Sequence, residues 1–381
     1  MNWLTLITPH HEPNTDLRAA FQGAMRSRHK PFITILAITA LMACRRDEAL
    51  IEEPTLTGPT PLTLDVPAWS VDSHALNLPY DNMLTVEGVA LGRKLFYETA
   101  LSDDFSMSCA SCHKQENAFS DPRRFSVGTD GSVGTRNSMA VVNMAWEHFH
   151  FWDARALSLE LQAFAPVTNP IEMRNTWPTV VARLQAHPDY PELFRKAYGT
   201  TVIDSMKVAF ALAQFERTLI SLDTPFDRYH YNGDMGALTE QQLRGQEIFF
   251  HEGHCVDCHM LPMFTDHVMR NIGLDRTGGD PGLGGWSGVP EHMGRFRTPG
   301  LRNIAASAPY MHDGRFATLE EVMDFYAEDV ATNAENLDGH MEPWVNDEID
   351  LDAQDRADLV AFMHALTDPH FLTNPSFTDP H

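Results

Sequence analysis

The chain is poor in cysteine and short of positive charge. Five cysteines stand among 381 residues, and 28 Lys and Arg face 52 Asp and Glu, a formal charge of −24. A surface this acidic repels phosphate backbones, which argues against nucleic acid as a partner. A basic protein partner fits it, and so does plain solvation. Strand signals are missing too, with no convincing run of alternating apolar and polar residues. The expected fold class is therefore mostly α. The one strongly apolar stretch falls short of the ~20 residues that a membrane-crossing helix needs. Hydrophobic content of 43% and charged content of 21% predict a packed globular protein. The length allows two domains of ordinary size.

The apolar stretch lies near the N-terminus. Residues 26–30, "RSRHK", are basic, "PFITILAITALMA" follows, and Cys44 comes next. That order reads as a secretory signal. "LMAC" also resembles a bacterial lipobox, in which the cysteine is acylated and becomes the first residue of the mature chain. An ordinary signal with an incidental cysteine is the alternative. Initiation at Met25 would give a more usual signal length. Residues 1–44 are thus expected to be a signal peptide with a lipobox. Residues 45–80, rich in Pro, Thr and acid, are expected to be a tether. The implied location is the periplasm or cell envelope, with membrane contact by the lipid anchor only.

The other four cysteines fall in two C-x-x-C-H motifs, Cys109/Cys112/His113 and Cys255/Cys258/His259. Export permits a disulfide. Paired zinc motifs usually sit roughly 15–20 residues apart, far closer than these two. A redox dithiol has no use for the histidine. Covalent c-type haem uses all three residues: the thiols add to the vinyl groups and the imidazole ligates the iron. Two haems are therefore expected.

The surroundings of the motifs repeat. "LTVEGVALGRKLFYE" precedes the first and "LTEQQLRGQEIFFHE" the second, and both align as G-x-x-[Leu/Ile]-Phe-aromatic on Gly92 and Gly245. Thr239 with Gln242 is a capping box. An amphipathic helix before each motif points to two small helical haem domains in tandem. The Pro- and Gly-bearing stretch 223–237 places their boundary at 225/226, giving domains 81–225 and 226–381. Further helices are expected after Thr176 and through "DSMKVAFALAQFERTLISL".

With these features in view, residues 80–370 resemble the bacterial di-haem cytochrome c peroxidase and MauG family. The shared stretches are "CASCHKQENAFSDPRRFSVGTDGSVGTRNS", "FWDARALSLELQAFAPVTNPIEM", "AQFERTLISLDTPFDRY", "CVDCH" and "FRTPGLRNIAASAPYMHDGRFATLEE". The resemblance implies cytochrome c-like domains and an enzyme in which the first haem meets hydrogen peroxide. The second haem would take electrons from an external donor such as a small cytochrome c. It further implies Trp152 between the haems and Glu172 with Gln162 in the peroxide pocket. A carboxylate there can move a proton between peroxide oxygens. Taken alone, Trp152 would be core and Glu172 a helix-start carboxylate after Pro170. The resemblance also implies a calcium ion held by Asn137 and the carbonyls of Ser307 and Pro309, and places His312 near the haems.

Two departures matter. The histidine that closes the resting peroxidatic iron in many family members aligns with Thr129, a poor ligand, so an open iron is expected unless His148 or His150 substitutes. The distal ligand of the second haem is methionine in those peroxidases and tyrosine in MauG. The alignment gives Tyr326. Thr318 and Glu321 cap a helix on which Met323 lies one turn before Tyr326, so Met323 competes. Met293 and His340 are further alternatives. Within the family a MauG-like oxidase of a protein side chain is the competing activity. Outside enzymes, the competitor is a non-catalytic di-haem carrier.

Overall fold

The computed structural model describes residues 58–71, 75–276, 278–346 and 348–381. The expected signal, the lipobox at Cys44 and the first part of the tether lie outside the described residues. Helices dominate. In chain order they are α1 (Val86–Phe96), α2 (Leu159–Gln162), α3 (Phe164–Thr168), α4 (Trp177–Ala186), α5 (Tyr190–Tyr198) and α6 (Ser205–Glu216). Then follow α7 (Pro225–His230), α8 (Glu240–Phe250), α9 (Gly284–Ser287), α10 (Leu319–Asp324), α11 (Glu342–Val345), α12 (Ala353–His364) and α13 (Pro369–Thr373). The strands among the described residues, β1 (Met269–Arg270) and β2 (Phe296–Arg297), pair antiparallel.

The helix starts follow from local chemistry. Thr85, Thr176, Asp204, Thr239 and Thr318 each accept a backbone N–H of the first turn, which satisfies a donor the helix cannot. At Thr239 with Gln242 and Thr318 with Glu321 the capping box is reciprocal.

Two apolar cores form. The first gathers Leu91, Leu95 and Phe96 of α1, Phe194 of α5 and Val208, Leu212 and Phe215 of α6. The second gathers Phe249 of α8, Leu319 and Val322 of α10, and Leu359 and Phe362 of α12. Phe226, Phe249, Phe264 and Phe362 are fully buried there and meet at ring separations of 5.1–6.4 Å. Each buried ring contributes about 1.5–3 kcal/mol by leaving water, and aromatic pairing adds about 0.5–1.5 kcal/mol. A simple tandem split does not describe the C-terminus, because Phe371 and Phe377 return to pack in the first core.

Part of the expected tether packs on the fold. Leu62 N–H donates to the Leu84 carbonyl at 2.9 Å, Trp69 stacks on Tyr231 at 3.9 Å, and Ser70 is buried beneath the Trp146 indole N–H. The apolar residues Leu62, Leu64, Val66 and Trp69, spaced through a Pro-rich stretch, let an extended segment pack without forming a helix.

The repeated glycines explain the duplicated pattern. A Cβ on Gly92 would lie 1.8 Å from the Ala211 carbonyl oxygen of α6, and one on Gly245 would lie 1.9 Å from that of Asp358 in α12. Each glycine lets the helix before a haem motif press against the backbone of a second helix. Gly245→Ala gains about 1 kcal/mol of helix propensity but overpacks at a cost of about 1–3 kcal/mol. The expected net result is lower stability by denaturant unfolding; a stabilised variant would contradict the close contact.

Candidate functional site

Each C-x-x-C-H motif is a single tight turn. His113 N–H donates to the Cys109 carbonyl at 3.0 Å, and His259 N–H to the Cys255 carbonyl at 2.9 Å. The histidines then fold under their own loops. Nδ1 of His113 lies 2.7 Å from the Phe119 carbonyl, and Nδ1 of His259 lies 3.0 Å from the Phe264 carbonyl. A carbonyl only accepts, so Nδ1 carries the hydrogen and Nε2 keeps its lone pair, as an iron ligand requires. Phe119 and Phe264 both adopt left-handed backbone, with φ of 56°, and both rings are fully buried. The pairs "AF" and "MF" that follow the two histidines thus do the same work in both halves. The four thiols are free. Burial raises them, Cys255 to about 12 and Cys258 to about 11.

The first motif opens on a cavity of about 230 Å³. Glu172, Gln162 and Trp152 line it with Cys109, Cys112 and His113. Glu172 does not begin a helix. It sits in a turn after α3, where its N–H donates to the Asn169 carbonyl at 3.1 Å and its Oε1 accepts from the Asn169 amide at 2.6 Å. Burial raises its carboxyl above the ordinary range, while Asn169 and Arg155 pull the other way. The loop 126–134 lies on this turn, since Thr129 N–H donates to the Glu172 carbonyl. A Cβ on Gly128 would fall 2.3 Å from the Ile171 carbonyl oxygen, so glycine permits the approach. Val127 and Gly128 line the cavity, whereas the Thr129 hydroxyl is buried without a hydrogen-bond partner. Of the two spare histidines, His148 is exposed and His150 is buried at the cavity wall, where burial lowers it to about 4.

The second motif opens on a larger cavity, about 430 Å³. Tyr326 and Met323 both line it, as do His312, His340 and Met293. Helix α10 passes into a π-helical turn, Phe325–Asp329, that carries Tyr326. Such turns often mark functional sites. Burial, with Cys258 and Cys255 nearby, holds the Tyr326 hydroxyl well above its ordinary range. His340 is engaged elsewhere, its Nδ1 lying 2.8 Å from Arg270 and 3.0 Å from Asp338. Met293 is partly exposed.

Sequence reasoning missed two cationic residues here. Pairing of β1 with β2 brings Arg270 and Arg297 to the wall of this cavity, and each keeps a buried Nε without a partner. Buried guanidinium donors without acceptors suit the carboxylates of a haem. With the free thiols, the aimed imidazoles and the two cavities, the residues present fit two c-type haems. Two-residue strands leave no periodicity in a sequence, which is why this feature escaped notice.

The cavities share a wall. Trp152, Asn137, Met139, Met144 and Arg297 line both. The Trp152 indole N–H donates to the Asn137 carbonyl at 2.9 Å, and its own carbonyl accepts the Arg297 N–H at 2.8 Å. Behind this wall Glu147 receives Arg297 and, at 3.1 Å, His267. Burial opposes the Glu147 charge, but Arg297 and His267 overcome it and hold the carboxyl at about 2. His312 stacks on Phe296 at 3.8 Å, and its carbonyl accepts the Asn137 N–H. Asn137, Ser307 and Pro309 all line the second cavity.

A second carboxyl in the first cavity was also missed. Glu216, at the end of α6, is buried in its wall. Burial raises it from 4.5 to about 8; Arg217 lowers it and Glu160 raises it further. An acid raised on folding binds more protons folded than unfolded. The contribution of Glu216 to stability should therefore be greatest below about 4.5, fall as pH rises to about 8, and stay at that lower level above. Glu216→Gln should flatten this window and stabilise the protein at its upper end, as read from denaturant midpoints across pH. The same slope in the variant would rule out the buried acid.

The comparisons with known proteins agree with this geometry. The family described as di-haem cytochrome c peroxidase matches residues 86–235. Over 301 residues the chain is 39% identical to the methylamine utilization protein MauG of Methylorubrum extorquens, covering 78% of this chain and 83% of that one. It is 33% identical over 288 residues to the cytochrome c551 peroxidase of Pseudomonas aeruginosa, covering 73% and 78%. A solved MauG-like protein associated with microbial copper homeostasis superposes with a TM-score of 0.76 at 34% identity, covering 84% of this chain and 99% of that one. The chain therefore belongs to the di-haem cytochrome c peroxidase family, and it is a two-haem oxidoreductase of the peroxidase type.

Proposed function

We propose that this protein reduces hydrogen peroxide to water at the Cys109/Cys112/His113 site, drawing electrons from an external protein donor through the Cys255/Cys258/His259 site. The observation that carries this reading is the buried Glu172 carboxyl beside Gln162, in one cavity with the first haem motif. A haem bound there supplies the iron on which the O–O bond is cleaved. Glu172 takes the proton from the nearer peroxide oxygen and returns it to the farther one, which leaves as water. Asn169 orients the carboxylate, and the Gln162 amide holds the substrate. Loop 126–134 brings no histidine, so a haem held there would be open to peroxide unless His150, at the cavity wall, took the place of the missing ligand. Trp152, in the wall common to both cavities, carries electrons between the two haem sites.

Three further assignments support this arrangement. Tyr326 would help hold the iron of a haem at the second motif, with Met323 as the competitor. Asn137 and the carbonyls of Ser307 and Pro309 hold a calcium ion, because the Asn137 amide N–H donates to the Arg123 and Arg124 carbonyls and leaves its oxygen turned away. Neutral oxygen ligands of this kind suit calcium. Among the described residues no group of three or more His, Cys, Asp or Glu offers a competing metal site. The protein works in the periplasm or cell envelope, held by a lipid on Cys44. One observation favours a second reading, MauG-like oxidation of a protein side chain: a tyrosine, not only a methionine, lines the second cavity.

Glu172→Gln should retain both haems and slow peroxide cleavage by roughly 10²–10⁴-fold. The parent's rate should rise with pH through a carboxyl titration above the ordinary range, because the base must be ionised, and the variant should lose that limb. Unchanged turnover would remove Glu172 from the mechanism.

The ligand assignment has its own test. Methionine raises the potential, while a hard anionic phenolate favours oxidised iron. Tyr326→Phe should therefore alter the absorption and raise the reduction potential of the second haem, and Met323→Leu should leave both unchanged. A change confined to Met323→Leu would reassign the ligand and weaken the MauG-like reading.

A further inference from the structure

Trp286 has a place in the structure that the peroxidase chemistry does not yet use. It is the one tryptophan among the described residues that stands exposed, at 52%. A loose surface indole would be unremarkable, but this one is fixed. Its Nε1–H donates to the Asp153 carbonyl at 2.7 Å, and Asp153 is the residue directly after Trp152. A second clamp runs parallel. Arg136 binds the Asp153 carboxylate at 2.6 Å and grips both oxygens of Asp280 at 2.6 and 2.7 Å. Asp280 opens the glycine-rich loop that carries Trp286, and it accepts the Gly282 N–H at 2.9 Å.

The loop has little freedom to drift. A Cβ on Gly282 would lie 2.2 Å from the Arg295 carbonyl oxygen, and one on Gly284 would lie 2.4 Å from the Met293 sulfur. The Leu283 N–H donates to the Arg295 carbonyl at 2.8 Å. The loop thus packs onto the segment leading into β2, whose Arg297 N–H donates to the Trp152 carbonyl. A continuous path of one hydrogen bond and a few covalent bonds joins the indole between the haem cavities to an indole in solvent.

We propose that Trp286 is the surface relay of a second electron-entry route, by which a protein donor reaches Trp152 directly, beside the route through the Cys255/Cys258/His259 site. The proposal rests on the peroxidase reading above. Reduction of one peroxide consumes two electrons and two protons and yields two waters. Each electron passes singly. The Trp286 indole loses one electron toward Trp152 and becomes a radical cation, its N–H held by the Asp153 carbonyl. It then regains one electron from the donor, which leaves oxidised by one. Two donors serve each peroxide. Indoles are oxidisable and phenyl rings are not, which is why tryptophan is needed at this position. The acidic surface suits a small basic donor protein, because opposite charge raises encounter rates.

The test uses the haem-loaded protein. Peroxide added without donor should leave Trp286 carrying one or two extra oxygen atoms by peptide mass spectrometry, and cyanide on the iron should prevent this. With a reduced basic c-type cytochrome as donor, Trp286→Phe should oxidise it about tenfold more slowly. Trp286→Tyr, oxidisable but equally unable to donate the indole bond, should recover most of the rate. Peroxide turnover with a small oxidisable dye should be the same in all three proteins. An unmodified Trp286, a Phe variant as fast as the parent, or a Tyr variant as slow as Phe would overturn the relay while dye turnover continued. A parent protein that consumed no peroxide with the dye would overturn the peroxidase reading and the relay together.

Discussion

The structure depends on one hydrogen bond made twice, from the Nδ1–H of each haem-motif histidine to the carbonyl of a left-handed phenylalanine. A ligand imidazole must present Nε2 at a fixed angle, and the bond on the other nitrogen sets both tautomer and direction. Phe119 and Phe264 hold a backbone conformation that costs roughly 1–2 kcal/mol. Their fully buried rings offset that cost, because each sits among other aromatic side chains. The cores thus do more than stabilise the chain. They aim the metal ligands, and the helices before each motif, pressed tight through Gly92 and Gly245, hold the cores in place.

From that fixed pair of ligands the two halves diverge. The first cavity receives a buried carboxyl on a turn, and the glycine at 128 lets a loop without histidine lie against it. The second receives two arginines from a minimal strand pair, together with the phenol of Tyr326 and the thioether of Met323. A buried carboxyl on one side and a phenol with a thioether on the other fit the proposed division between peroxide chemistry and electron supply. Trp152 and Arg297 bind the halves into one device, since both line both cavities. The Glu147–Arg297–His267 cluster fixes the shared wall by satisfying its charges inside the protein.

Much of this was legible in the sequence, for identifiable reasons. The haem motifs require named atoms at fixed spacing, and capping boxes such as Thr239/Gln242 and Thr318/Glu321 act within four residues, so both survive as local patterns. The glycine repeat was visible, although its cause, a backbone contact with a helix over a hundred residues away, was not. Glu172 and Trp152 came from resemblance, and neither composition nor spacing distinguishes them from ordinary side chains. Residues 61–71 read as tether because Pro and Thr suggest a linker, yet their spaced apolar residues pack on the fold. Arg270, Arg297 and Glu216 were missed because their roles arise from long-range burial, which leaves no periodic trace.

The central claim is that the first haem stands open to peroxide because no histidine comes from the loop at Thr129. The ferric spectrum of the resting haem-loaded protein, followed by peroxide titration, tests it most directly. One high-spin and one low-spin haem are predicted, with the high-spin signal lost as peroxide is added and no prior reduction needed. Two low-spin haems, inert to peroxide until an electron is supplied, would contradict the account.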